Sequence, residues 1–229
     1  MKIIGLIGGM SWESTQTYYQ VINEAVKSRL GGLHSAELVL VSVDFQKIEA
    51  CQSAGDWQQS AELLTKAAMR LERAGADFII ICTNTMHKVV PMLENKIKLP
   101  IVHIADATAD VLNDKHIKKA ALLGTKYTLR EDFYKQRLIE HGIEVIIPQD
   151  EDIEAINDII FNELCLGIIH DSSRKIFCQI IMKLFEQGAE GLILGCTEIG
   201  LLINQSDVPL PVFDTTLIHA LRAVALAIE

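Results

Sequence analysis

Two stretches of this chain repeat each other, and the repeat limits the folds that the chain can adopt. Residues 66–85 (KAAMRLERAGADFIIICTNT) align without gaps on residues 179–198 (QIIMKLFEQGAEGLILGCTE), with identity at five of the twenty positions. Two shorter matches flank this block in the same order: Leu6-Ile7-Gly8 with Leu122-Leu123-Gly124, and Leu99-Pro100 with Leu210-Pro211. Three ordered matches indicate a duplicated structural unit.

Each copy contains a helical stretch, a glycine and then a short apolar run, which is typical of a helix followed by a strand buried on both faces of a parallel sheet. The same rhythm predicts strands at 2–7, 37–43, 77–81, 99–102, 119–123, 143–147, 191–194 and 210–213. It predicts helices at 11–30, 57–74, 128–141, 151–165, 172–187 and 216–228. Ser11 is the expected N-cap of the first helix, and Thr128 with Glu131 matches a capping box.

Alternating strands and helices predict an α/β fold class: two pseudo-symmetric, Rossmann-like α/β domains with parallel sheets. We expect residues 1–103 plus 216–229 to form the first domain and residues 104–215 the second. Ligands of open parallel sheets bind beyond the carboxyl ends of the strands. The sequence therefore predicts an active-site cleft between the two domains.

Composition excludes several classes of protein. The 229 residues carry a formal charge of −9 and no basic stripe, which argues against nucleic-acid binding. No apolar run approaches the roughly 20 residues of a membrane span, and the N-terminus turns polar too soon for an export signal, so we expect a cytoplasmic protein without membrane contact. The five cysteines are irregularly spaced without a CxxC, so we expect neither disulfides nor a metal site.

The repeat pairs two chemically different residues at the ends of equivalent strands. Within the gapless block Cys196 aligns with Thr83, whereas Cys82 aligns with Gly195. A thiol and a hydroxyl on opposite walls of a cleft suit the inversion of a stereocentre, because one group removes a proton and the other adds one to the opposite face. That chemistry requires no redox cofactor. Both residues precede expected helix starts, where a thiolate is favoured and a carboxylate can be held.

Four motifs resemble the aspartate/glutamate racemase family, the kind that works without pyridoxal phosphate: IGLIGGMSWEST (4–15), CTNTMHK (82–88), GCTEIGLL (195–202) and LPVFDTT (210–216). Within it the chain is most similar to the broad-specificity amino-acid racemases related to aspartate racemase. The resemblance implies catalysis by two cysteines without a cofactor. Here Cys196 matches the second cysteine, and Thr83 stands where the first is usual. Cys82 lies one residue too early and is expected to point away from the cleft.

The resemblance also implies a set of residues around the substrate. It suggests substrate contacts from Met10, Gln52, Asn84, Thr85 and Thr197, and it places His87 and Glu198 behind them as groups that tune the thiol and the hydroxyl. The implied substrate is a small amino acid, glutamate or aspartate or a broader range. The segment 163–167 contains no lysine that could grip a side-chain carboxylate, which weakens a preference for aspartate.

Two other functions stay open at this point. A single-thiol relative that decarboxylates or hydrolyses a small dicarboxylate would need only Cys196. A two-domain protein that binds an amino acid without turnover would need neither Cys196 nor Thr83 as an acid or base. A homodimer is the expected assembly for a small enzyme of this kind.

Overall fold

The computed structural model describes residues 1–229. The chain divides into two compact units: unit 1 is Met1–Ile104 with Thr216–Glu229, and unit 2 is Ala105–Thr215. Both units are layers of helices around a wholly parallel sheet, so the predicted α/β class is confirmed. No helix combines the length and the apolar character that crossing a bilayer requires.

Unit 1 contains a three-stranded sheet in the order β2-β1-β3. Its strands are β1 (Ile4–Gly8), β2 (Leu38–Ser42) and β3 (Phe78–Ile81). Its helices are α1 (Trp12–Leu30), α2 (Phe45–Ala54), α3 (Trp57–Arg73), α4 (Val90–Glu94) and the C-terminal α11 (Thr215–Ile228), and a 3₁₀ turn covers Thr85–Val89. Strands β1 and β3 are buried along their whole length, which makes β1–β3 the centre of the unit.

Unit 2 contains a four-stranded sheet in the order β5-β4-β6-β7. Its strands are β4 (Lys119–Leu123), β5 (Glu144–Ile146), β6 (Gly191–Leu194) and β7 (Val212–Asp214). Its helices are α5 (Ile104–Asp114), α6 (Lys126–Arg130), α7 (Asp132–Glu140), α8 (Asp150–Asn162), α9 (Asp171–Glu186) and α10 (Ile199–Leu202), and 3₁₀ turns cover Leu164–Leu166 and Gln205–Asp207. The order β5-β4-β6 repeats the order β2-β1-β3 of unit 1.

The predicted strand at 99–102 is reduced to one bridge. Ile101 pairs with Ile79 of β3, as β7 pairs with β6 in the other unit. Ile79 donates to the carbonyl of Pro100, and Val102 donates to the carbonyl of Ile79. The chain enters α5 at Ile104, so the pairing ends after one step.

The helix N-termini show which capping residues the sequence predicted correctly. The prediction for Ser11 is confirmed, since its hydroxyl accepts from the backbone N–H of Ser14 and α1 follows. The capping box at Thr128 and Glu131 is wrong. Thr125 caps α6 by accepting from the N–H of Thr128, and Glu131 is extended, which divides the predicted helix 128–141 into α6 and α7.

Helices α2 and α5 were not predicted. Asp44 caps α2, and Gly55 ends it in the left-handed conformation that glycine adopts readily. Helix α5 follows directly on the Ile101 bridge, without a loop of turn residues to mark its start.

Candidate functional site

Cys196 lies two residues beyond the end of β6, in the apolar core of unit 2, with 8 % of its surface exposed. The preceding residue, Gly195, brings the end of β6 close to β4. Its N–H donates to the carbonyl of Leu123 at 2.7 Å, and a Cβ at this position would come within 2.6 Å of that oxygen. Only glycine allows this approach, so the spacing of the two strands fixes where the thiol emerges.

The Cys196 thiol donates to a carboxylate two residues along the chain. Its Sγ lies 3.0 Å from Oε2 of Glu198, and the hydroxyl of Thr197 donates to the same oxygen at 2.7 Å. Glu198 is 4 % exposed. Cys196, Thr197 and Glu198 therefore form one hydrogen-bonded group, in which Thr197 is half-buried and the other two are buried. The group has a transferable proton on sulfur and an acceptor oxygen beside it.

Burial raises the pKa of the Cys196 thiol well above its ordinary range, the charge of Glu198 raises it further, and the Cys165 thiol adds to the rise. The expected stabilisation of a thiolate at a helix start is outweighed: the backbone N–H of Glu198, the N-cap of α10, lowers the pKa of Cys196, but burial and the Glu198 charge raise it by more. The raised pKa favours the protonated form of the Cys196 thiol at neutral pH. Its proton can leave only if a neighbouring group accepts it, and Glu198 is placed to do so.

Cys82 lies in the apolar core of unit 1, in a cluster with Leu6, Tyr18 and Ala220, and is fully buried. Burial alone raises the pKa of this thiol. No carboxylate or other polar group contributes to that rise. Cys82 therefore has the surroundings of a packing residue.

Thr83 lies just outside β3 and is half-buried. Its N–H donates to the carbonyl of Ile81 at 2.8 Å, which turns the chain sharply at Cys82. Its own carbonyl accepts a hydrogen bond of 2.8 Å from Nδ1 of His87. The N–H and the carbonyl of Thr83 are therefore both hydrogen-bonded, and these bonds fix the direction of its Cα–Cβ bond.

The other predicted residues of unit 1 are buried near this turn. Asn84 and Thr85 follow Thr83 at the start of the 3₁₀ turn. Gln52, on α2, donates from Nε2 to the sulfur of Met86 at 3.0 Å, and Met10 lies in the same apolar cluster as Met86. The structure thus brings together Gln52 with Met86, Thr83 with His87, and Cys196 with Thr197 and Glu198.

Sequence reasoning missed a buried group of histidines behind Thr83. His87, His103 and His219 pack ring against ring, and Tyr18 bonds to His219. One sequence feature pointed weakly to Tyr18, which aligns with Tyr134 in the repeat. No sequence feature pointed to His103 or His219, because the members of the group come from elements far apart along the chain. No three histidine, cysteine or carboxylate side chains are arranged to hold a metal ion.

The comparison with protein families gives one match across nearly the whole chain. The profile of the Asp/Glu/hydantoin racemase family matches residues 7–223. Among curated proteins, the broad-specificity amino-acid racemase RacX of Bacillus subtilis is 23% identical over 220 residues, which are 93% of this chain and 93% of RacX.

Solved structures agree with that match. A candidate Asp/Glu racemase from Yersinia pestis is 56% identical to this chain, with a TM-score of 0.93 and full coverage of both chains. An aspartate racemase homologue from Pyrococcus horikoshii is 38% identical, with a TM-score of 0.86 and full coverage of both.

The buried His219 predicts how stability depends on pH. Burial lowers the pKa of His219 from 6.5 to about 4, so between these values the unfolded chain binds a proton that the folded chain does not. Stability therefore falls as the pH falls through this window. From pH 7 to pH 5, we expect His219 to account for about 2 kcal/mol of lost stability.

The variant His219→Gln should lose that part of the pH dependence, measured as the free energy of unfolding in urea at the two pH values. His34→Gln is the matched control, because His34 is exposed, and it should keep the wild-type dependence. An equal pH dependence in wild type and His219→Gln would contradict the prediction.

Proposed function

This chain belongs to the Asp/Glu/hydantoin racemase family, and we propose that it inverts the α-carbon of glutamate, aspartate or a related amino acid with Cys196 and Thr83 as its two acid/base groups. It is an amino-acid racemase, an isomerase acting on amino acids. The names of its relatives support an acidic substrate: an Asp/Glu racemase candidate and an aspartate racemase homologue. The observation that carries the proposal is the hydrogen bond from the buried Cys196 thiol to Glu198.

The proposed reaction starts with activation of the thiol. The sulfur passes its proton to Oε2 of Glu198, 3.0 Å away, and becomes a thiolate in a site that excludes most water. The thiolate then removes the α-proton of the amino acid. The carbanionic α-carbon receives a proton from the Thr83 hydroxyl. The resulting alkoxide takes a proton from water, and the Glu198 carboxyl releases to water the proton that it took from sulfur, so all three residues return to their starting states. In the reverse direction Thr83 is the base, and the protonated Cys196 thiol is the acid.

The two groups differ in strength, and that difference has a kinetic consequence. A threonine hydroxyl is a far weaker acid than a thiol, which titrates near 8.5 when free. The step through Thr83 should therefore be slow and limit turnover. Because the two enantiomers are equal in free energy, kcat/KM is equal in both directions, and the asymmetry appears in kcat and KM separately.

Replacing Cys196 tests the proposal directly. Each enantiomer of glutamate and aspartate is incubated with the protein in D₂O, loss of the Cα–H signal is followed by NMR, and inversion by chiral chromatography. Wild type should exchange and invert at least one pair. Cys196→Ser should reduce both rates roughly 100-fold or more, the loss typical of removing a general acid/base group.

The control is Cys82→Ser, which makes the same chemical change one residue before Thr83 and should keep most of the wild-type rate. A folded Cys196→Ser enzyme with full activity would overturn the proposal. Release of CO₂ or ammonia would instead point to a single-thiol decarboxylase or hydrolase. Binding without exchange would point to a non-catalytic receptor.

The role of Glu198 predicts opposite changes in thiol reactivity and turnover. In Glu198→Gln the charge that raises the pKa of Cys196 is removed, so the pKa falls and the sulfur should react faster with iodoacetamide at pH 8. Racemisation should slow, because an amide does not accept the thiol proton.

Peptide-resolved mass spectrometry follows the alkylation of each cysteine. Cys178 is an internal control, since Asp207, and not Glu198, contributes to raising its pKa, and its alkylation should be unchanged. An unchanged or slower alkylation of Cys196 would contradict the assignment of Glu198.

Substitutions at Thr83 separate its hydroxyl from its shape. Thr83→Val keeps the branched shape without the hydroxyl, and inversion should fall roughly 100-fold or more. Thr83→Cys supplies a stronger acid and should retain or raise the inversion rate, which chiral chromatography measures. A folded but inactive Thr83→Cys enzyme, or an active Thr83→Val enzyme, would count against Thr83 as the second group.

A further inference from the structure

The buried group behind Thr83 is not used by the proposed reaction. We define the histidine cluster as Tyr18, His87, His103 and His219. Their exposed fractions are 0 %, 1 %, 5 % and 0 %. Tyr18 comes from α1, His87 from the 3₁₀ turn after β3, His103 from the segment before α5, and His219 from α11. Four separate parts of unit 1 therefore meet in one polar group inside an apolar core.

The hydrogen bonds of the cluster fix which nitrogens carry hydrogen. His219 donates from Nε2 to the carbonyl of Val102 at 2.8 Å, because a carbonyl can only accept. Burial keeps His219 neutral at ordinary pH, so its Nδ1 accepts from the Tyr18 hydroxyl at 2.9 Å. Tyr18 and Val102 thus hold the ring of His219 from both sides.

The remaining contacts lead from His219 to the backbone of Thr83. The ring of His87 packs against that of His219, with centroids 5.6 Å apart, and against that of His103, with centroids 4.6 Å apart. Both pairs are edge-to-face. Held in this way, His87 donates from Nδ1 to the carbonyl of Thr83 at 2.8 Å. The cluster therefore acts on the turn that carries the proposed acid/base hydroxyl.

Unit 2 lacks an equivalent of this support. At the offset of 113 residues that relates Thr83 to Cys196, His87 corresponds to Gly200, which has no side chain. Tyr18 corresponds to Tyr134, whose hydroxyl bonds to Thr108 and not to a histidine. Only unit 1, which contains the weaker acid, carries the cluster. A weak acid has a high barrier to proton transfer, so the rate depends more on the placement of the Thr83 hydroxyl than on that of the Cys196 thiol.

We infer that Tyr18 and His219 are positioning residues, which act through His87 to hold the Thr83 hydroxyl where it can donate to the α-carbon. This inference rests on the proposed function. Neither residue touches the substrate, since both are fully buried in the core of unit 1.

The test compares two matched tyrosine variants. Tyr18→Phe removes the hydroxyl that orients His219, and kcat for inversion should fall roughly tenfold with KM little changed, because a small misplacement of a reacting group is costly. Tyr134→Phe removes an equally buried hydroxyl at the corresponding place in unit 2 and should leave kcat unchanged. Thermal unfolding establishes that both variants are folded.

Two further variants separate positioning from general stability. His219→Leu should lower kcat as Tyr18→Phe does. His219→Gln, whose amide can donate and accept, should recover most of the loss. In the Thr83→Val background, Tyr18→Phe should have no further effect on the residual Cα–H exchange by Cys196, since the hydroxyl that it positions is gone.

The outcomes distinguish the two proposals. An active wild type in which Tyr18→Phe and His219→Leu leave kcat unchanged, or in which Tyr18→Phe lowers residual exchange equally with and without the Thr83 hydroxyl, would overturn the positioning role alone. A wild type that exchanges no amino acid would overturn the proposed function, and this inference with it.

Discussion

The pairing of two buried parallel strands, made once in each unit, is the constraint on which the rest of the structure depends. Strand β3 pairs with β1, and β6 pairs with β4, each in parallel register. Because both faces of these strands are covered, the chain can present polar side chains only where the strands end. Thr83 and Cys196 stand just past those two ends, so the sheets determine where acid/base groups can lie.

Burial has the same effect on two cysteines that differ in function under the proposal. It raises the pKa of both Cys82 and Cys196, so the direction of the shift does not separate them. The groups next to each thiol distinguish the two cysteines. Cys196 donates to Glu198, which can take its proton, whereas Cys82 lies in an apolar cluster. The acceptor, more than the thiol, makes one position suitable for proton transfer.

Three predictions from local signals were confirmed, and two predictions failed for different reasons. The apolar runs at β3 and β6 and the cap at Ser11 needed only neighbouring residues, and all three were confirmed. The capping box at Thr128 failed because Thr125, three residues earlier, caps the helix instead. The strand at 99–102 became a single bridge because the chain has room for one pairing step before α5.

By itself, the sequence determined the parallel α/β class and the internal repeat in which Cys196 aligns with Thr83, because these depend on periodicity and on residue order. Only the tertiary structure decided that burial raises the pKa of the Cys196 thiol, that this thiol bonds to Glu198, and that Tyr18 and His219 lie behind Thr83. The first depends on how much water burial removes. The second depends on contacts between residues as far as 201 positions apart, which no local pattern records.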